Sequence, residues 1–316
     1  MKSYITKWKK IIIFLVISIV TGVGIMFAVA GVHYIKAGNN KGNHVIEAEN
    51  IKVKKKDAMK VITIKIPRQY VNKFVFEYES ADFSNLQIEV NKTNIYGVVE
   101  NIQIQDKFME GLPRSVVNIN GKISKIKLSF ADQENPVKIY GYSIDNSFKI
   151  NPLLGIFWMT FVFLVLFLVG FRKENAEHEG IAIFVCAFVS STCLLILMPY
   201  YINGWDEQIH YTNAYELGVT KMGEHVTRAQ DYVYNNAAKI NSVSFLANET
   251  IEERLDMVRL MGRRQFEQGS VTDNYTIQLS SVGYVLQALG LKIGHILHLH
   301  PYIYWLLGKF MNVLLY

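Results

Sequence analysis

Three long runs of the sequence contain no charged residue, and they constrain the fold more than any other feature. They cover residues 11–31, 152–171 and 181–202. An α-helix rises about 1.5 Å per residue, so roughly 20 apolar residues cross the roughly 30 Å hydrocarbon core of a bilayer. Each run reaches that length. We therefore expect an integral membrane protein with three transmembrane helices in contact with the lipid bilayer.

The first run follows a basic flank, residues 1–10, whose lysines predict a cytoplasmic N-terminus by the positive-inside rule. A cleaved signal peptide is the alternative, but the apolar part exceeds the usual length of about 7–15 residues, which favours an anchor. Segment 45–148 is then extracytoplasmic, 172–180 is a cytoplasmic loop and 203–280 is external. The sequence thus predicts a multi-pass protein of the plasma membrane.

The formal net charge of +6 does not indicate nucleic-acid binding. The lysines are divided between the N-terminal flank, the external segment "KVKKKDAMK" and scattered strand positions, without a basic groove lined by aromatic residues. We expect no nucleic-acid partner. Cys186 and Cys193 both lie in the third run, where they cannot bridge each other, and the external segments contain no cysteine. No disulfide is predicted.

Apolar and polar residues alternate with period two between the first two runs, as expected of strands that bury one face. The alternation covers residues 61–66, 74–78, 86–90, 117–120, 123–130 and 137–144. Asn120-Gly121 is a signal for a tight turn, and Pro67, Pro113 and Pro136 are expected to separate other strands. We therefore predict an all-β sandwich of jelly-roll type inserted between membrane helices.

Three tyrosines of the predicted sandwich suit two roles. Tyr70, Tyr96 and Tyr140 can stack on carbohydrate if they are exposed, or they can belong to the core and rim of the domain. Tyrosine serves the second role more often, so we expect core and rim positions.

Residues 251–265 have the pattern of an amphipathic helix. Thr250 and Glu253 form a capping box, and apolar residues recur after them at helical spacing. We expect the charges of the other face to be solvated. The alternative is that Arg263 and Arg264 bind an anionic phosphate or a lipid headgroup.

The last part of the chain contains two further apolar segments. Residues 281–298 fit an interfacial or re-entrant helix, because polar residues interrupt their apolar face. Residues 301–316 have the composition of a span but fall short of the roughly 20 residues needed to cross. We therefore expect this segment to be the start of a further transmembrane helix in an incomplete helical module.

The stretch "WDEQIH" directly follows the third run and contains Asp206, Glu207 and His210. A substrate with a lipid tail presents its reactive head at this level, where a carboxylate can act as general base or can hold a divalent metal ion. Asp206 is therefore a candidate base.

A helix that starts near Asp206 would have one face made of Glu207, His210, Tyr211, Ala214 and Tyr215. Glu207 and His210 could then form a carboxylate–imidazole pair. The alternative is structural: Asp206 caps the helix and the neighbouring aromatic residues form an interfacial belt.

Two patches, "PYYINGWDEQIHYTNAYELG" and "YVLQALGLKIGHILHLHPYIYWLLGKFMN", resemble the bacterial polytopic membrane proteins grouped as domain of unknown function 2142. That family in turn resembles the GT-C glycosyltransferases, whose first external loop carries an acidic motif and which use polyprenyl-phosphate sugars as donors. The resemblance covers roughly residues 150–316. It implies the fold of a GT-C-like helical module.

The resemblance also implies roles for particular residues. Asp206 would be the catalytic base, Glu207 and His210 its supports, and Asp206 or Glu207 the ligand of any divalent metal ion. Contacts to the donor phosphate would come from Arg263, Arg264 or Lys309. Lys309 stands where the family usually has arginine, so a bidentate contact becomes a point-charge contact.

The sequence therefore predicts a glycosyltransferase, or part of one, that moves a sugar from a polyprenyl-phosphate donor to a cell-envelope glycan on the external face. The alternative is a non-catalytic protein, truncated or accessory, whose sandwich binds an envelope polymer or a partner.

Overall fold

The protein is described from a computed structural model, in which residues 2–56, 58–80, 84–94, 96–108, 112–131, 137–197, 213–215, 217–219, 250–262 and 281–314 are placed. The chain divides into two compact units, a helical unit and a sheet domain, and the first helix contributes residues to both.

Within the part of the chain that the structure describes, three helices are long and apolar enough to cross a membrane, as the charge-free runs predicted. They are α1 (Lys2–Lys36), α2 (Pro152–Gly170) and α4 (Glu179–Leu197), and the short α3 (Arg172–Glu177) separates the last two. Asn151 caps α2 by accepting the N–H of Leu153. Residues 198–202 of the predicted third span lie outside the described residues.

Three shorter helices follow: α5 (Ile251–Gly262), α6 (Val285–Ile296) and α7 (Pro301–Val313). The helical unit contains α6 and α7 together with α2, α3, α4 and most of α1, whereas α5 belongs to the sheet domain. Within the helical unit α7 contacts α4, where the rings of Phe310 and Phe188 are 5.7 Å apart.

Glycines bring α6 and α7 into backbone contact. Gly290 and Gly294 lie about one turn apart on α6. A Cβ atom on Gly290 would lie 2.6 Å from the carbonyl oxygen of Leu307, and one on Gly294 would lie 2.1 Å from the Cβ of Tyr304. This G-x-x-x-G spacing lets helices approach closely in an apolar environment.

The segment between α1 and α2 forms an antiparallel sheet of seven strands in the order β1-β7-β3-β6-β4-β5, with β2 also paired to β3. The all-β prediction for this segment is confirmed at the level of an antiparallel sheet. The strands are β1 (Gly42–Val45), β2 (Ile51–Lys56), β3 (Met59–Glu79), β4 (Ser84–Thr93), β5 (Val99–Phe108), β6 (Arg114–Ala131) and β7 (Lys138–Asn146).

The two longest strands run through positions where the sequence predicted breaks. Pro67 lies inside β3 at a register shift between Lys65 and Gln69, and a bulge tolerates a residue without an N–H. Asn120-Gly121 lies inside β6, and Asn120 adopts a φ of +50°, so the strand continues past it. The predicted strand break at Pro67 and the predicted tight turn at Asn120-Gly121 are therefore wrong.

Aromatic side chains fill the core of the sheet domain. The ring of Phe108 on β5 lies 5.9 Å from that of Phe76 and 4.9 Å from that of Tyr78, both on β3, and 5.0 Å from that of Phe130 on β6. Because β5 and β3 are not neighbours in the sheet, these contacts cross the interior of the domain. The rings meet edge to face, the arrangement that their quadrupoles favour.

The sheet domain begins and ends on one ladder, because β1 pairs with β7 and Gly42 lies opposite Asn146. The buried amide of Asn146 ties this end together. Its Nδ2 donates to the carbonyl oxygens of Asn40 (2.8 Å) and Tyr70 (3.1 Å), and its Oδ1 accepts the N–H of Asn72 (2.7 Å). Such a fully bonded buried amide fixes the backbone around it.

Candidate functional site

Most of the predicted site residues, and with them the candidate base, lie outside the described residues: Asp206, Glu207, His210, Arg263 and Arg264. The structure therefore says nothing about their geometry. Lys309 is the predicted site residue that it describes.

Lys309 lies on α7 and is half-buried. Its Nζ sits 4.0 Å from the centre of the Trp305 ring, which is itself buried. The negative face of an indole ring attracts a cation at this distance. The contact places the Lys309 side chain against the Trp305 ring.

The helix predicted to start near Asp206 is described only at residues 213–215 and 217–219, and this part packs against α6 and α7. Ala214 and Tyr215, two members of its predicted face, are buried, and the ring of Tyr215 lies 6.3 Å from that of Tyr304 on α7. A Cβ atom on Gly218 would lie 2.3 Å from the carbonyl oxygen of Ala288 on α6. The two sequence patches that carry the family resemblance thus contact each other within the helical unit.

In the sheet domain, α5 makes several polar contacts with the strands. Thr250 and Glu253 form the predicted capping box, with each backbone N–H 3.3 Å from the other side chain. Glu252 and Asp256 are buried, whereas Leu255 keeps 47% of its surface exposed. The expectation that the charges of this helix are solvated is therefore wrong. The physical reason is that the sheet surface under α5 carries basic groups.

Ion pairs hold α5 on the sheet domain, and a longer contact of 3.6 Å between Lys149 and Glu252 adds to the two closest ones. Lys73 of β3 donates to both carboxylate oxygens of Glu252 at 2.7 Å. Arg114 of β6 makes a bidentate contact with Asp256, at 2.7 Å from Nε and 3.2 Å from Nη2. Burial raises the pKa of Glu252, but the hydrogen bond and charge of Lys73, with a smaller contribution from Lys149, outweigh it and hold this pKa below its ordinary value.

Glu253 caps an open edge of the sheet between these two pairs. The pairing of β4 with β6 covers residues 122–130, and none of the other described strands pairs with the first part of β6 on that side. The carboxylate of Glu253 accepts the N–H of Val116 there at 2.7 Å. The Ser115 hydroxyl lies 3.2 Å from Glu253 and is also hydrogen-bonded to Asp106.

The three tyrosines singled out in the sequence occupy different environments. Tyr70 is 7% exposed, and its hydroxyl is 2.6 Å from Nδ1 of His33, so it has the expected core position and offers no stacking surface. Tyr140 is 64% exposed, and its hydroxyl is hydrogen-bonded to Glu79. Hydrogen bonding to Glu79, followed by burial, raises the pKa of Tyr140.

Tyr96 is 83% exposed in the turn between β4 and β5. The side chain of Asn94 accepts the N–H groups of Tyr96 and Val98 at 3.0 Å each, and Gly97 supplies the positive φ of +81° that the turn requires. The turn therefore presents an aromatic ring on a hydrogen-bonded support.

Within the described part of the chain, no three His, Cys, Asp or Glu side chains come together as a set that could hold a metal ion. Asp206 and Glu207, the predicted metal ligands, lie outside that part. Cys186 and Cys193 are free thiols.

Sequence reasoning identified α5 but missed the basic residues that bind it. Lys73 and Glu252 are 179 positions apart, and no local spacing connects them. Arg114 carries no signal either, because its partner Asp256 is 142 positions away on α5. By contrast, the G-x-x-x-G spacing of Gly290 and Gly294 was present in the sequence and could have predicted the contact with α7.

No protein-family model and no curated protein matches the chain. A search of solved structures finds one described as TmCBM61 in complex with β-1,4-galactotriose, which is 14% identical to this chain. The match covers 35% of this chain and 94% of that chain, with a TM-score of 0.20. A likeness at that score supports no argument about function.

Proposed function

We propose that the protein is, or forms part of, a membrane-embedded glycosyltransferase of GT-C type. It moves a sugar from a polyprenyl-phosphate donor to a cell-envelope glycan on the external side of the plasma membrane. The sheet domain is then an external β-sandwich of jelly-roll type, and α1, α2 and α4 cross the bilayer. The N-terminus is cytoplasmic.

One observation supports this proposal more than the others. The described residues that follow the acidic motif, 213–215 and 217–219, contact α6 and α7. Tyr215 and Gly218 follow the acidic motif in the chain, and they pack on the helices that carry Tyr304 and Lys309. A candidate base and a candidate phosphate ligand thus belong to segments that contact each other. Asp206 takes the proton of the acceptor hydroxyl, and Lys309 neutralises donor phosphate, with Arg263 and Arg264 as further candidates.

The direct test replaces Asp206 with Asn in the complete protein. General-base catalysis contributes roughly 10²–10⁴-fold to a rate, so transfer from a polyprenyl-phosphate sugar should fall by that order while expression and membrane insertion stay normal. Asp231→Asn is the matched control, because Asp231 lies in the same segment but outside the motif. Full activity of Asp206→Asn would sink the assignment.

A divalent metal ion bound by Asp206 or Glu207 is the remaining part of the proposal. Removal of divalent metal ions with a chelator should abolish transfer in that case, and added magnesium or manganese should restore it. Unchanged transfer after chelation leaves Asp206 as a base alone.

A second function is favoured by the exposed rings of Tyr96 and Tyr140: the sheet domain binds an envelope polymer and the protein is a non-catalytic accessory. Ring faces of exposed tyrosines suit stacking on sugars. Under this function Asp206→Asn is silent, whereas deletion of residues 45–148 abolishes the phenotype.

The tyrosines offer a finer test of that second function. Tyr96→Ala and Tyr140→Ala in the full chain should lose binding to isolated cell-wall glycan, and the matched Tyr→Phe variants should keep it because the ring remains. Equal binding by the alanine and phenylalanine variants would exclude these rings as the binding surface.

A further inference from the structure

The polar face of α5 and the sheet surface beneath it match each other group by group. Glu252 meets Lys73, Asp256 meets Arg114, and Glu253 meets the N–H of Val116. We call Lys73, Arg114 and the N–H of Val116 the docking surface. We propose that the acidic helix α5 docks reversibly on this docking surface, as a releasable clasp. It docks more tightly as the pH falls from about 8 to about 5.

The docking surface is built to take carboxylates rather than apolar side chains. Its three contacts come from two different strands, and one of them is a backbone N–H on an uncovered strand edge. An uncovered edge is the part of a sheet that accepts a partner. Leu255 keeps nearly half its surface exposed, whereas Glu252 and Asp256 are buried against their basic partners.

The contact around Ser115 makes this docking sensitive to pH. A hydroxyl carries one proton, yet Ser115 Oγ lies within hydrogen-bonding distance of carboxyl oxygens on both Asp106 and Glu253. Both contacts are satisfied when one carboxyl group is protonated. Burial, and after it repulsion from Asp106, raises the pKa of Glu253 to about 8, against the hydrogen bonds from Val116, Thr250 and Ser115 that lower it.

The direction of the pH effect follows from these two groups. The pKa of Glu253 rises from 4.5 to about 8 on docking, so its contribution is complete below pH 4.5 and is lost as the pH rises to about 8. The lowered pKa of Glu252 acts in the opposite sense and weakens docking only below pH 4.5. The other charged groups around α5 are Lys73, Arg114, Asp145, Lys149, Arg254, Asp256 and Arg259.

Docking of α5 affects the stretch of chain between α4 and α6, which contains the proposed base Asp206. α5 lies between α4 and α6 in the chain, as Asp206 does, so docking restrains that segment at one point. In this respect the inference deepens the proposed function. Its test measures docking and not sugar transfer, so either can fail without the other.

Hydrogen–deuterium exchange of the full chain in detergent micelles tests the clasp. Exchange times are scaled for the intrinsic effect of pH on amide exchange. Protection of residues 251–262 should then fall at least about ten-fold between about pH 5.5 and about pH 8.5. Glu253→Gln keeps the shape without the ionisable group, and its protection should be high at both pH values. Glu47→Gln, an exposed carboxylate of the same domain, is the control and should behave as the unmodified protein.

Two outcomes would overturn the inference. One is protection of α5 that is constant over this pH range in the unmodified protein, and the other is a pH effect that survives in Glu253→Gln. The strands β3 and β6 serve as an internal reference, because their exchange reports whether the domain remains folded.

A charge exchange provides the second test and does not depend on Glu253. Lys73→Glu should reduce protection of α5 at least about ten-fold, because it removes the cation 2.7 Å from Glu252 and puts a second carboxylate opposite it. The double variant with Glu252→Lys restores the pair in reverse and should recover most of that protection. No recovery would show that the surface does not recognise α5 by charge.

Discussion

α5 and α6 are both helices of 12 residues, and they are held in opposite ways. α6 touches α7 through glycines, so that backbone lies against backbone, whereas α5 is bound to its sheet through ion pairs and a capped strand edge. In an apolar environment helices gain little from hiding apolar surface and rely on close contact. Next to water, the same length of helix can be held by charges that remain free to titrate. The first contact therefore depends on close fit and the second on charge.

Inserting a side chain into the close contact between α6 and α7 should have the largest effect. Gly294→Leu places a side chain where Tyr304 already stands and should destabilise the helical unit by about 3 kcal/mol, at the upper end of the usual range for overpacking. Thermal denaturation of the full chain in detergent, followed by helical circular dichroism, measures the loss. Gly24→Ala on α1, where a Cβ meets open space, is the control and should change stability little. An unchanged melting temperature for Gly294→Leu would contradict backbone contact here.

Removing one partner of a charge pair should have an intermediate effect. Arg114→Ala leaves the buried Asp256 with Arg259 as a cation within 3.0 Å, so we expect a loss of about 2 kcal/mol instead of the larger cost of a stranded charge. Denaturant unfolding, monitored by hydrogen exchange of the α5 amides, measures this loss of stability. Arg68→Ala serves for comparison, because its 3.4 Å contact with Thr93 is exposed and should contribute little. Equal losses for both variants would show that the Arg114 pair has no special weight.

Salt should produce the smallest difference and separate the two kinds of contact most cleanly. Raising sodium chloride to about 1 M shortens the screening length to about 3 Å and should weaken α5 docking by roughly 0.5 kcal/mol. The α6–α7 contact involves no charge pair in its glycine contacts, so its protection from exchange should not change. A loss of protection in both helices would mean that salt acts on the whole protein.

The fold was predictable wherever a pattern is local. Charge-free runs gave the three long helices, and period-two alternation gave the β character of the segment between α1 and α2. The errors came from tertiary context that overrides local signals. Pro67 and Asn120-Gly121 normally end strands, yet β3 and β6 continue past them because the two strands pair with each other again beyond each register shift.

The candidate site was predictable only in part, for a related reason. The capping box of Thr250 and Glu253 spans four positions and could be found in the sequence. Its docking partners lie far away in the chain, and an amphipathic pattern does not say which face is buried. The roles of Asp206, Glu207 and His210 depend on the arrangement of a segment outside the described residues and stay predictions.

The ladder between β1 and β7 has a consequence for how such a chain can be built. Paired residues on neighbouring strands lie roughly 5 Å apart, so the chain enters the domain at Gly42 and leaves it at Asn146 through points almost as close as two bonded neighbours. Everything between those two residues is a loop in the topological sense, however large it grows. The strands attached in this way form a cassette: they can be shortened or replaced, and the two ends that remain can be joined by a few glycines. Removing them would also remove the surface that α5 contacts.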